Sequence, residues 1–487
     1  MELEFSLHPD DAGPLSRSKL LGGPKPTRPR QQSLRLIWHD SPERALRADD
    51  LALVEQRGAW RLERLTPGAS DSLPTQPTEV LARSTSHATL GQPLPEALSP
   101  VAAFDGRQTT YVVPTPDGDV TLQLQRGSLR GVTASHAICR LCFNGPDDAV
   151  RAMALALADT FRLCVPRASL AAEAFAAADG WPIPPRRLGA PRRVEERTVT
   201  DAFAQVLGHL TDVLIYHAPK AAIGGNDTEP VHQMRVATRR ARSAIAVFSH
   251  ALACPIVAAA NRDLKVLGTV LGPARDWDVF VTETLPVISA AFPDDGRMRR
   301  LAAAAARQRA DHHATLRAWL LSAQFRRLGI FLACLTASQS WHDTLEPAKR
   351  EIAEMPLPSF SAIVLQRRWK KLLAAGKDIH ELGIPALHSL RLRAKRLRYA
   401  AEIFQPNAHN KQARRLLRRL GLLQERLGIL NDGAVAANLL AHLGGPGGRH
   451  GYAVGLVLGF LAGSAANVRP PIIRAWEKID RTPPFWA

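Results

Sequence analysis

The chain repeats itself. His232-Gln-Met-Arg-Val-Ala-Thr-Arg-Arg-Ala-Arg-Ser-Ala-Ile-Ala-Val-Phe248 returns 156 residues later as His388-Ser-Leu-Arg-Leu-Arg-Ala-Lys-Arg-Leu-Arg-Tyr-Ala-Ala-Glu-Ile-Phe404. The register runs on without a gap through Arg262/Arg418, Leu264/Leu420, Leu267/Leu423, Leu271-Gly272/Leu427-Gly428 and Asp276/Asp432, so that twelve of forty-five positions from 232 to 276 are identical. A duplicated segment with 3.6-residue apolar periodicity predicts two copies of one helical unit, packed about a pseudo-twofold axis. Phe248, Leu264, Leu267 and Leu271, with their copies, read as core. Gly272/Gly428 followed by Asp276/Asp432 reads as a helix end and the cap of the next helix.

Charge divides the chain in the same place. Residues 1–190 hold 21 of the 63 Lys+Arg and 21 of the 45 Asp+Glu, so the whole formal charge of +18 belongs to the C-terminal part. Such an asymmetry predicts two modules with different jobs, the second facing an anionic partner. The seam, Trp181-Pro-Ile-Pro-Pro-Arg-Arg-Leu-Gly-Ala-Pro191, carries four prolines in eleven residues and reads as a linker over 181–192. Before it, 1–180 shows strand-like runs at Leu34–Trp38, Tyr111–Pro114 and Ala137–Phe143. A hairpin signal, Thr115-Pro-Asp-Gly-Asp119, precedes the alternating Val120–Gln125, and an amphipathic helix follows at about 147–163. This is the texture of an antiparallel, β-rich α+β domain. After the linker, 193–487 is all helical, with one repeat over about 193–345 and the other over about 349–487.

Five cysteines in 487 residues exclude a disulfide scaffold. The acidic start Met-Glu-Leu-Glu-Phe lacks the basic region of a secretory signal, so a cytoplasmic location is expected. Tyr452–Val468 is apolar with Gly455, Gly459 and Gly463 four apart. It is short for a membrane span and reads as a buried bundle helix whose glycines allow close approach; no membrane span is expected.

On a helix turning about 100° per residue, His232, Arg235, Arg239 and Arg242 share an arc of about 80°, as do His388, Arg391, Lys395 and Arg398 in the copy. Arg240 and Arg396 flank these rows. Val236, Ala237, Ala241, Ala244 and Val247 supply the packing side. Like charges three and four residues apart repel, and Glu402 is the lone acid in the second helix. A polyanion relieves that repulsion, and guanidinium forks match phosphate oxygens. Further basic segments, Arg367-Arg368-Trp369-Lys370-Lys371 and Arg414-Arg415 with Arg418-Arg419, add to the set. An outer group of candidates is therefore Arg262, Lys265, Arg368, Lys371, Arg418 and Arg419. His232 and His388 occupy one repeat position, either as structural groups or as phosphate donors. Neither has a second His or Cys at ligand spacing on its face, so no metal is expected there. Only Tyr399 and Trp369 interleave with the basic residues, and no nucleic-acid recognition motif is present. This favours a baseless polyphosphate or a phosphorylated metabolite over nucleic acid.

The paired His-x-x-Arg-Val/Leu-x-x-Arg/Lys-Arg-x-Arg helices, the Leu-Gly-x-x-x-Asp segment and the Gly-rich helix ending near Trp476 resemble the CHAD family, the conserved-histidine α-helical domain, over about 193–487. The resemblance implies two helical bundles related by pseudo-twofold symmetry around a basic channel, and binding of inorganic polyphosphate. It implies that His232, Arg235, Arg239, Arg240, Arg242, His388, Arg391, Lys395, Arg396 and Arg398 line that channel. A polyphosphate-binding protein of this kind also carries the expectation of association with polyphosphate-containing granules.

Residues 1–175 resemble a degenerate CYTH domain, the triphosphate tunnel β-barrel. Glu2-Leu3-Glu4-Phe5-Ser6 is similar to the Glu-x-Glu-x-Lys opening, with Ser6 in place of the Lys. Trp38-His-Asp-Ser-Pro42 is similar to Tyr-Tyr-Asp-Thr-Pro. Val54 and Gln56 stand where the resemblance implies tunnel arginines, and Cys139-Arg-Leu-Cys142 where it implies metal carboxylates. Arg140 thus reverses the charge at the implied cation site, and Cys139-x-x-Cys142, on a strand and without a partner pair, reads as incidental. Only Glu2 and Glu4 remain to hold Mg²⁺ or Mn²⁺. The expected fold is an antiparallel β-barrel α+β domain followed by an all-α domain of two related bundles. The expected function is non-enzymatic polyphosphate binding without a cofactor. The alternatives are a residual metal-dependent triphosphatase in the first domain and a nucleic-acid-binding protein.

Overall fold

In a computed structural model of the chain, the residues described are 1–22, 28–65, 79–91, 93–180, 188–189, 198–405 and 410–486. The Pro-rich linker expected at 181–192 lies outside them apart from Leu188 and Gly189. Contacts gather the chain into two units. One holds Met1–Leu188 with Leu207–Tyr216 and Leu320–Asp343; the other holds Gly189–Val206, His217–Trp319 and Thr344–Ala487.

The first unit is built on one antiparallel sheet. Its strands are β1 (Glu2–Leu7), β2 (Arg30–Asp40), β3 (Leu51–Gln56), β4 (Ala59–Arg64), β5 (Val80–Ser84), β6 (Ser99–Val113), β7 (Val120–Gly131), β8 (Ser135–Asn144) and β9 (Leu163–Cys164), in the order β5-β4-β3-β2-β6-β7-β8-β1-β9. The Asp-Gly turn makes the predicted hairpin: Gly118 takes φ of +118°, which glycine adopts without a Cβ penalty, and β6 and β7 pair from Val113↔Val120 to Ala102↔Gly131. Among the described residues the sheet is open, because the edge strands β5 and β9 do not pair with each other. The closed barrel is therefore corrected to an open nine-stranded sheet, still consistent with the CYTH-like reading.

Alternation decides what each face carries. One face has Leu3, Phe5, Leu141 and Phe143, all buried, and helix α1 (Asp147–Thr160), which follows β8, buries Val150, Ala154 and Leu157. The other face is polar at one end and apolar at the other. Helix α2 (Leu170–Asp179) packs here, burying Ala171, Ala174, Phe175 and Ala178 with Leu34, Leu36, Trp38, Phe104 and Leu129. The approach is close. A Cβ on Gly131 would sit 2.2 Å from the Ala177 carbonyl, so only glycine lets β7 meet the end of α2. At the polar end, Arg140 is 1% exposed and lies 2.8 Å from Glu173 of α2 and 3.4 Å from Glu4 of β1.

The second unit is helical, from α3 (Val199–Ile223), α4 (Glu229–Leu252), α5 (Pro255–Val279) and α6 (Gly296–Leu320) to α8 (Leu357–Gly376), α9 (Ile384–Phe404), α10 (Lys411–His442), α11 (Gly451–Ala466) and α12 (Arg469–Asp480). The middle of α3 and the intervening α7 (Ala323–Ser338) count with the sheet unit, where Arg326 donates to the Ala158 carbonyl at 3.2 Å. Shifted by the repeat, Pro255 at the head of α5 falls on Lys411 at the head of α10, and α4 falls on α9. Phe248 and its copy Phe404 meet each other, ring centroids 5.6 Å apart, and both pack on Phe360. Copies of one residue touch only near an axis relating them, so this aromatic cluster marks the pseudo-twofold.

Two readings are corrected. The Leu-Gly-x-x-x-Asp segment is not a helix end: α5 runs through Gly272 and Asp276, and α10 through Gly428 and Asp432. In α11 the buried residues are Ala453, Val454 and Val457, while Gly455, Gly459 and Gly463 are exposed with open space beyond them. The glycine requiring close approach is Gly376, where a Cβ would lie 2.0 Å from the Trp476 ring. No single described helix is long and apolar enough to cross a membrane.

Candidate anion-binding groove

Helices α4 and α9 start at prolines, Pro230 and Pro385, whose missing N–H groups cost nothing in a first turn. Each then buries an Ala/Leu/Phe stripe, which fixes its rotation. What remains outward is basic. On one side of the α4–α9 crossing, the outward side chains join those of α5 and α8 around a groove of about 770 Å³.

Ten cationic side chains line it: Arg235, Arg239 and Arg242 from α4, Lys265 from α5, Arg367, Arg368 and Lys371 from α8, and Arg393, Lys395 and Arg396 from α9. No carboxylate is among the lining residues. What relief there is comes from residues outside the lining. Arg235 reaches Asp276 Oδ1 at 3.2 Å, and Arg242 Nε donates to the neutral Asn261 Oδ1 at 3.2 Å. Arg239 Nε donates to the Tyr399 hydroxyl at 2.6 Å. The Tyr399 ring, 7% exposed, also lies beneath Arg239, Arg240 and Lys395 at 5.7, 5.9 and 6.0 Å. Arg368 spans the two repeats by donating to the carbonyls of Arg396 and Ala246, each at 3.1 Å.

The crowding is legible in protonation. Burial, then Arg239, Arg391 and Arg235, push the Lys395 ammonium down to about 7. Burial, then Arg396 and Arg367, push Arg368 down to about 10. An anion entering the groove is met by charge already concentrated and partly desolvated, where an ionic hydrogen bond is strongest.

Not every predicted residue is here. Arg235, Arg239, Arg242, Lys395 and Arg396 line the groove, with Lys265, Arg368 and Lys371 of the outer set. Arg240 and Arg398 are held by Glu402 instead, at 2.8 and 2.9 Å. His232 is half-buried, its imidazole pushed below the usual range by burial and by Arg275, and His388 is exposed; neither lines the groove. Arg391 lies toward Asp432. Arg262 is exposed elsewhere on α5. Arg418 belongs to a separate basic hollow with Lys411, Arg414 and Arg415, and Arg419 is tied to the Lys478 carbonyl at 2.6 Å and to the Thr482 hydroxyl. Sequence reasoning missed Arg367, Arg393 and the role of Tyr399. Arg393 was masked because its repeat partner, Ala237, is a core residue.

The two carboxylates expected to hold a metal under the triphosphatase alternative stand two residues apart on β1. Glu4 faces Arg140, Glu2 is exposed, and no group of three or more His, Cys, Asp or Glu able to hold a metal ion occurs among the described residues. Burial disfavours the Arg140 charge, but Glu173 and Glu4 more than restore it. Cys139 and Cys142 fall three apart on β8 and so face opposite sides of the sheet. Burial raises both thiols, Cys139 to about 11, and Cys142 donates to Glu4 at 3.6 Å.

The family model for the CHAD domain matches residues 205–441. Among solved structures, the chain is similar to the crystal structure of the CHAD domain from the plant Ricinus communis, with 30% sequence identity, a TM-score of 0.52, and coverage of 62% of this chain and 99% of that one. Uncharacterized proteins from two strains of Mycobacterium tuberculosis, CDC 1551 and H37Rv, are each 27% identical over 273 residues, 53% of this chain and 50% of theirs. The chain thus spans about half the length of the curated relatives it matches. With the duplicated basic helices and their pseudo-twofold packing, these likenesses establish that the chain belongs to the CHAD domain family.

Proposed function

We propose that the helical unit binds inorganic polyphosphate in the groove between α4, α5, α8 and α9. The observation that carries this reading is the lining itself: ten cations from both repeats and no carboxylate. A linear phosphate chain supplies the missing negative charge at every repeat unit and asks for no base contacts. The one aromatic in the lining supports a baseless ligand. Tyr399 is buried beneath three cations, so it offers no free ring on which a base can stack. The CHAD resemblance implies the same ligand class.

The sheet unit is read as non-catalytic. A buried guanidinium at Arg140, held by Glu4 and Glu173, takes the electrostatic place of a divalent cation and leaves Glu4 no coordination role. No cofactor is assigned. Binding of polyphosphate also carries the expectation that the chain associates with polyphosphate-containing granules, which a fluorescent fusion in polyphosphate-accumulating cells tests.

The deciding experiment titrates the full chain with long-chain polyphosphate and with duplex DNA at two salt concentrations. Selective polyphosphate binding is expected, with a log–log salt slope no steeper than about −7 if all ten cations engage at roughly 0.7 counterions each. Arg239→Ala with Arg396→Ala flattens that slope by about 1.4. Equal or tighter binding to DNA refutes the assignment.

A further inference from the structure

The repeat supplies its own comparison for the groove. Arg242 of α4 and Arg396 of α9 both line it, with Ala246 one turn beyond Arg242. Exchanging the copies turns Arg242 into Arg398, Arg396 into Arg240, and Ala246 into Glu402. On that side, Glu402 Oε1 accepts from Arg398 Nε at 2.9 Å and Oε2 accepts from Arg240 Nη2 at 2.8 Å. The carboxylate is only 14% exposed. One carboxylate thus bridges two guanidiniums contributed by different repeats.

In the groove the equivalent pair lacks that anion. Ala246 ends at a methyl, and Arg242 Nε meets only the Asn261 amide oxygen. The two backbone carbonyls that would repel an incoming anion, Ala246 O and Arg396 O, are both already engaged by Arg368. Arg242, Ala246 and Arg396 are all exposed, so the position is open to solvent.

We infer that Glu402 is a resident anion filling one of two pseudo-equivalent half-sites, and that the open half-site between Arg242 and Arg396 above Ala246 is a subsite for one phosphate group of the bound polyanion. A tetrahedral phosphate presents oxygens to two guanidinium forks as the carboxylate does. The difference between Ala246 and Glu402 makes the module one-sided. The inference rests on the reading of the groove as a phosphate site and specifies where within it the ligand is held.

The test uses the full chain and tripolyphosphate, followed by isothermal titration calorimetry at low salt. Ala246→Glu places a carboxylate four residues after Arg242, repeating the Arg398–Glu402 spacing at an exposed position. Its affinity is expected to fall at least ~10-fold below that of Ala246→Gln, the neutral residue of matching size. Glu402→Ala is expected to raise the molar ratio from one tripolyphosphate to two. If that variant does not fold, Glu402→Gln replaces it. Absence of binding by the unaltered protein overturns the groove reading and this subsite with it. Normal binding by the unaltered protein, with Ala246→Glu equal to Ala246→Gln, overturns the subsite alone. A ratio that stays at one in the folded Glu402 variant overturns the equivalence of the two half-sites.

Discussion

Polyphosphate binding should be linked to proton uptake at Lys395. In the free protein, burial and then Arg239, Arg391 and Arg235 hold this ammonium at about 7, against an ordinary value of 10.5. Tyr399, which faces it at 6.0 Å, contributes an attraction too weak to restore the charge. A phosphate chain in the groove cancels the repulsion from the three arginines and adds an attraction that opposes the cost of burial, so the bound value rises above 7. Above pH 7 the ligand must therefore bring a proton with it. Affinity is full below about pH 7 and falls with rising pH, by at most about tenfold per unit, because one proton carries about 1.4 kcal/mol per unit. From pH 7 to 9 the loss is at most about a hundredfold. Stability of the ligand-free protein runs the other way. Between about 7 and 10.5 the unfolded chain holds this proton more tightly, so unfolding becomes harder as pH rises through that window. His232 titrates below it, its imidazole having been pushed under 6.5 by burial and Arg275. The assay is calorimetric titration with long-chain polyphosphate, whose interior phosphates stay ionised throughout, at constant ionic strength. Lys395→Arg keeps the charge and should abolish the slope. Wild-type affinity that is flat from pH 7 to 9, or an unchanged slope in Lys395→Arg, refutes the linkage.

Two further outcomes follow from single contacts. Tyr399→Phe removes the acceptor for Arg239 Nε but keeps the ring beneath three cations. It should weaken polyphosphate binding about 3- to 10-fold, partly rescued by water, and lower the melting temperature by less than about 2 °C. Arg140→Ala leaves Glu4 and Glu173 facing one another without a counter-ion. The sheet unit should lose about 3–5 kcal/mol in urea unfolding while polyphosphate affinity stays unchanged.

What the sequence could and could not reveal follows from what periodicity encodes. Alternation and an Asp-Gly turn located the β6–β7 hairpin, because both signals are local. Barrel closure is a property of strands distant in sequence, and nothing in β5 or β9 announces that they stay apart. Helical spacing identified which residues share a face but not which way that face turns. In α4 the predicted arc does face the groove, through Arg235, Arg239 and Arg242. In α9 the groove sees one member of the arc, Lys395, and otherwise the flank, Leu392, Arg393, Arg396 and Tyr399, because a twofold axis turns the rest of the arc to the other side of the crossing. The Leu-Gly-x-x-x-Asp segment resembled a cap for lack of any view of Arg235, whose guanidinium gives Asp276 its partner within a continuous helix. The exposed glycines of α11 were misjudged for a similar reason: a small-residue stripe carries no mark of whether a neighbour lies against it.

The duplication makes the one-sidedness of the site a problem to be explained, since two identical repeats would give two identical grooves. Three departures between the copies all fall within ten residues of α9. Arg393 replaces the core residue Ala237 and adds a cation to the groove. Tyr399 replaces Ser243 and gathers Arg239, Arg240 and Lys395 over one ring. Glu402 replaces Ala246 and neutralises Arg240 and Arg398 away from the groove. Each change moves positive charge in the same sense, toward one side of the axis. Ten clustered cations, of which Arg235 alone has a carboxylate partner among the described residues, in Asp276, cost stability, and the shared aromatic cluster of Phe248, Phe404 and Phe360 offsets that cost by clamping both helices where the charges converge. Had the acid stood at 246 as well as 402, the fold would be more stable and the groove would carry its own anion. Leaving that position to alanine keeps the charge available for a ligand, and the rigid core beneath prevents the arginines from separating to relieve it.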